Sequence, residues 1–156
     1  MQNDHTALER LAVFLGEWRM EASFPSAAPA ASVASGVSGR AVFRRVLDGQ
    51  FLALEIEIPH PDAPDSWAII GVAANGQTYT QHYFDTRGVA RVYAMTFRDG
   101  LWTLLREAPD FTPLDFAQRF TGRFSDDGRT IVGRWEQRTG GATWQHDFDL
   151  TYTRVS

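Results

Sequence analysis

Asp48-Gly49, Asn75-Gly76, Asp99-Gly100, Asp127-Gly128 and Gly140-Gly141 punctuate this chain like the tips of successive hairpins. Asn-Gly and Asp-Gly supply the positive φ angles that tight hairpin turns need, so these dipeptides fix where the chain reverses. Between them apolar residues recur with a period of two. Trp18, Met20, Ala22 and Phe24, for example, alternate with Arg19, Glu21 and Ser23, and residues two apart share one face of a strand. Strands are expected from Trp18 to Phe24 and near 39–47, 50–58, 66–74, 77–85, 88–98, 100–107, 115–125, 128–139 and 142–154. About ten strands joined mostly by hairpins form an up-and-down meander, which loses its exposed edges by closing into a barrel. The expected fold class is therefore all-β: an antiparallel up-and-down barrel.

Upstream of the first strand the period changes. Leu8, Leu11, Ala12 and Leu15 recur at helical spacing. Thr6-Ala7-Leu8-Glu9 has the spacing of a capping box, and Gly16 is a natural stop. A helix over 6–15 is expected to run into Gly16-Glu17-Trp18 and plug one end of the barrel. Residues 25–38 are small, interrupted by Pro25 and Pro29, and low in complexity, and read as a long mobile loop. The long connections 25–38, 59–65 and 108–114 fall at one end if the strands alternate, and most of the tight Gly turns fall at the other, with the helix. One end is thus shut and the other is a mouth. The same parity brings Arg154, late in the last strand, beside Trp18, where a guanidinium over the indole would latch the barrel by a cation–π contact.

The helix before Gly16-x-Trp18, the stretches Leu47-Asp48-Gly49-Gln50-Phe51 and Tyr79 to Asp85, and the terminal Leu150-Thr151-Tyr152-Thr153-Arg154 resemble the calycin superfamily of lipocalin-like barrels. The nearest likeness is to bacterial lipocalin-like proteins of largely unassigned function. The resemblance spans nearly the whole chain and implies a single domain over 1–156. A looser likeness is to the nitrobindin-type haem barrels. Those have Gly-x-Trp-x-Gly-x-Gly at this point, whereas here Trp18 is followed by Arg19, Met20, Glu21 and Ala22, without the glycines that let a flat macrocycle approach.

Candidate site residues follow from the alternation. His146 shares a face with Trp144, Phe148, Leu150 and Tyr152, opposite Gln145, Asp147, Asp149, Thr151 and Thr153. The aromatic face is expected to be interior. An interior His could contact a ligand, act as acid–base, ligate haem iron, or be a hydrogen-bonded core residue. Gln118, between Phe116 and Phe120, must find a partner inside, either a ligand or a Tyr or His across the barrel. Tyr93 and Met95 on one strand and Trp135 on another are expected cavity walls, with solid packing as the alternative. The expected ligand-binding set is His146, Gln118, Trp144, Phe148, Phe116, Phe120, Trp135, Tyr93 and Met95. His82 is expected to face outward, and Glu55 and Glu57, opposite a wholly aliphatic face, to face water. The four His are isolated and none has metal-ligand spacing.

Composition narrows the function classes. A net charge of −4, with no basic cluster beyond Arg44-Arg45, argues against a nucleic-acid surface. There is no Cys, hence neither a disulfide framework nor a thiolate metal site. Met-Gln-Asn-Asp-His lacks a basic leader, and no apolar run is long enough for a membrane span, so a cytoplasmic location is expected. The leading expectation is a carrier or sensor that binds a small hydrophobic or aromatic molecule in the barrel, with no resident cofactor. The alternatives are a cavity enzyme of isomerase or cyclase type with His146 as acid–base, a haem barrel with His146 as axial ligand, and a solid barrel serving as a homodimerisation unit.

Overall fold

The computed structural model describes residues 2–24 and 36–156. The elements run α1 (Gln2–Arg10), a 3-10 helix (Leu11–Phe14), β1 (Gly16–Ser23), β2 (Gly36–Val46), β3 (Phe51–Glu57), β4 (Ser66–Val72) and β5 (Tyr79–Asp85). They continue with β6 (Ala90–Arg98), β7 (Leu101–Arg106), β8 (Ala117–Phe124), β9 (Thr130–Arg138) and β10 (Gln145–Arg154). Each strand pairs antiparallel with the next, and β10 returns to β1, closing a ten-stranded barrel. No helix among the described residues is long and apolar enough to cross a membrane.

The helical plug differs from the expected span 6–15. It begins at Gln2, so Thr6 lies within the helix rather than at its cap, and its last turn tightens into the 3-10 form. Tightening places residues three apart on one edge. Leu11 and Phe14 consequently point into the barrel with Ala7 and Leu8, while Ala12 is exposed. The expected loop 25–38 is also shorter at its far end, because Gly36, Val37 and Ser38 already pair with Ser23, Ala22 and Glu21. Residues 25–35 lie outside the described residues.

Aromatic rings fill the plugged end. Phe14 meets Phe43, Phe97, Trp102 and Phe124 at centroid separations of 5.0–5.1 Å. Such tilted and edge contacts suit rings whose faces and edges carry opposite partial charge. The Trp18 indole N–H donates to the Phe14 carbonyl at 2.8 Å, and the Tyr79 hydroxyl donates to the Ala7 carbonyl at 2.6 Å. Arg154 pairs with Trp18 across the β1–β10 seam, and its guanidinium carbon stands 4.2 Å from the indole centroid. The same guanidinium donates to the Leu15 carbonyl at 2.7 Å and to the carbonyl of Val13. Helix, first strand and last strand are thereby tied at one point. The β1–β2, β3–β4, β5–β6, β7–β8 and β9–β10 connections all lie at the opposite end, at the mouth.

Candidate functional site

Above the aromatic plug the interior is open. A cavity of about 440 Å³ lies between the plug and the mouth, within the range of small-molecule sites. Its walls are mostly apolar and include Met20, Leu54, Ala68, Trp102 and Leu104. Trp102 also touches Phe14, which places its indole at the floor. At mid-height stand Phe120, Trp135 and Phe148, in contact as neighbours at 5.1 Å and 6.4 Å. Their room comes from two glycines. A Cβ on Gly133 would stand 2.6 Å from the Phe120 ring, and one on Gly122 would stand 2.8 Å from it. The ring therefore lies flat on bare backbone instead of projecting across the barrel.

Nearer the mouth the lining turns polar. Gln118 accepts from the Tyr93 hydroxyl at 2.9 Å and from Arg91 Nη1 at 3.3 Å. A tyrosine is thus its partner across the wall. Arg91 lies over the Phe116 ring, 5.6 Å from its centroid. The Tyr83 hydroxyl donates to Asp85 Oδ2 at 2.8 Å, and Arg87 clamps the same carboxylate at 2.7 Å. Burial pushes the Tyr83 and Tyr93 hydroxyls up from their ordinary value, so both remain neutral donors. Behind this rim the β7–β8 connection is anchored by a bidentate, almost fully buried pair. Arg106 Nε and Nη2 reach Asp110 at 2.8 Å, with side-chain exposures of 2% and 7%.

Three buried polar atoms among the described residues have no hydrogen-bond partner: Gln81 Oε1, Arg91 Nε and Trp102 Nε1. All three belong to residues that line the cavity. A buried polar atom without a partner is destabilising and uncommon in folded proteins. In each case the atom itself is covered by its neighbours, and a turn of the side chain would bring it to the cavity.

The main departure from the alternation lies in β10. His146 pairs with Glu136 and Phe148 with Trp135, so Asp147 is an extra residue with no opposite number. Such a bulge shifts the side-chain frame by one. Beyond it Phe148, Leu150 and Tyr152 face inward as expected. At the bulge Asp147 lines the cavity and His146 does not. His146 Nε2 instead shares a hydrogen bond with the exposed Asp149 Oδ1 at 2.9 Å. Its expected interior placement is therefore corrected. Trp144 is likewise outside, held between the guanidiniums of Arg119 and Arg138, each 4.5 Å from its centroid. Met95, fully buried and paired with Tyr79 and Leu104, belongs to the packed core rather than the cavity wall. Gln118, Phe116, Phe120, Trp135, Tyr93 and Phe148 do line the cavity together.

Haem ligation by His146 does not fit this geometry, since its ring lies outside the barrel. No other histidine among the described residues lines the cavity, and His82 is exposed. Asp147 is the titratable group that the alternation missed. Burial raises its carboxyl above the ordinary aspartate value, partly offset by the nearby His146. Arg91 was legible in principle: it sits at period two with Tyr93 and Met95. Nothing in the spelling of Gln145 to Asp149 announces the bulge.

No protein-family model and no curated protein matches the sequence. The fold is similar to a solved structure, the crystal structure of Rv2717c from M. tuberculosis, with a TM-score of 0.65 at 15% identity. The match covers 96% of this chain and 98% of the other. That likeness concerns the fold alone, a closed ten-stranded antiparallel barrel.

Proposed function

We propose that the protein is a binding module that takes one small apolar or aromatic molecule into the barrel cavity. The observation that carries this reading is the cavity of about 440 Å³ above a solid aromatic plug. Two further features support it. The glycine pair beneath Phe120 keeps the space clear where a side chain would fill it, and three of the lining residues carry a buried polar atom without a partner. Apolar walls supply most of the affinity in such sites and a few polar groups set the orientation. The test is a thermal-shift titration with a library of small aromatic compounds, repeated on Ala68→Phe. Ala68 is 2% exposed and lines the cavity wall, so the larger ring occupies ligand space. Hits that stabilise the wild type by a few degrees should lose that effect in the variant. Stabilisation that persists in Ala68→Phe would place binding elsewhere.

One observation keeps a catalytic reading in view. The raised carboxyl of Asp147 is an acid–base group inside the cavity, a role for which His146 is wrongly placed. If a ligand found by titration is converted, Asp147→Asn should abolish conversion while leaving binding measurable.

A further inference from the structure

The geometry points to a carboxylate as the head group of the cavity's ligand, received by Arg91; this rests on the reading of the cavity as a ligand site. Two arginines line the cavity, and they differ in one respect. Arg87 is neutralised by Asp85 at 2.7 Å. Arg91 has no carboxylate within ion-pair distance among the described residues; its partners are all neutral, the amide of Gln118, the hydroxyl of Tyr93 and the face of Phe116. Its Nε is buried without an acceptor. Arg91 is half-buried in the polar rim of the cavity, and a partly desolvated guanidinium without a counter-charge is stabilised by an incoming anion. Its Nε–H and adjacent N–H groups form the planar fork that two coplanar carboxylate oxygens satisfy.

The remaining charged groups at the cavity do not supply that partner. Asp147 projects from β10, which three strands separate from the β6 strand of Arg91 on the shorter way round the barrel. Asp62 lies on the β3–β4 connection and makes no ion pair with Arg91. A phosphate, with more oxygens and charge, would ask for more donors than the single guanidinium of Arg91 provides, Arg87 being already held by Asp85. The polar groups lie toward the mouth and the aromatic wall below. The ligand is therefore oriented, apolar end against Trp102 and Phe120, carboxylate at Arg91.

The test compares benzoate, 2-naphthoate and 4-biphenylcarboxylate with their neutral amides by isothermal titration calorimetry. In the wild type the best-fitting acid should bind roughly tenfold or more tightly than its amide, the range of a charge-assisted pair. In Arg91→Gln the acid-to-amide ratio should collapse toward one. Amides that match or exceed the acids in the wild type overturn the carboxylate assignment and leave the cavity reading standing. An acid preference that survives in Arg91→Gln overturns the role of Arg91. Binding of neither series by the wild type removes the cavity reading together with this inference.

Discussion

Asp147 shows how one side chain can carry opposite meanings for stability and for function. Its carboxyl is raised by burial, so the folded state holds its proton to higher pH than the unfolded chain does. Below the ordinary carboxylate range both states are protonated and the residue is neutral in its effect. As pH rises through that range and past the folded value, the unfolded state ionises more readily and stability is lost. Asp147→Asn should therefore raise the melting temperature at pH 7, and the gain should vanish at pH values below the ordinary carboxylate range. Calorimetric scans of both proteins across that window check the sign. A gain of the same size at acid pH would show that packing, not ionisation, is responsible. Residue identity alone did not reveal this. Asp147 read as an outward strand residue because alternation counts positions and cannot see an inserted one. Gln118 and Phe120, on a strand without a bulge, were placed correctly by the same counting.

At the scale of elements, the connections differ in how they are held. The tight Gly turns at the plugged end use positive backbone φ, +75° at Gly49 and +69° at Gly76, and in the second Asn75 Oδ1 also accepts from the Gln77 and Thr78 N–H groups. The 107–116 connection at the mouth has no such turn. It is held by Asp110, which accepts from Arg106, from the Val92 N–H at 2.8 Å and from the Thr112 N–H at 3.1 Å. The Arg106 guanidinium and these N–H groups hold the Asp110 carboxyl well below its usual range. This contribution is present above the ordinary carboxylate range and lost as pH falls toward the folded value. Removing one member of a buried pair strands the other, so Asp110→Ala should destabilise by about 3–5 kcal/mol at pH 7. Limited proteolysis should then cut first within 107–116. The long Pro-containing connection was visible in the sequence; its buried anchor was not, because the two partners are ordinary charged residues four apart.

For the molecule as a whole, closure depends on the seam between the first and last strands. The sequence carried this much: turn signals gave the hairpin order, loop lengths gave the two ends, and strand parity put Arg154 near Trp18. The three-way tie of Arg154 to indole, Leu15 carbonyl and Val13 carbonyl could not be read from it, since those carbonyls belong to the tightened end of the helix. Arg154→Ala removes a cation–π contact and at least two charge-assisted bonds to backbone, and should lower stability by about 3 kcal/mol. Hydrogen exchange should then quicken first along β1 and β10. Protection lost evenly over all ten strands would mean that the seam is no weaker than the rest of the barrel.

The bulge in β10 makes the cavity's chemistry a matter of reading frame. Excising either His146 or Asp147 would restore strict alternation, and the one that remained beside the inward Phe148 would then face outward, leaving no acid–base group at that point of the cavity. A barrel one codon shorter there, with every lining aromatic unchanged, would enclose the same guest without the Asp147 carboxyl beside it.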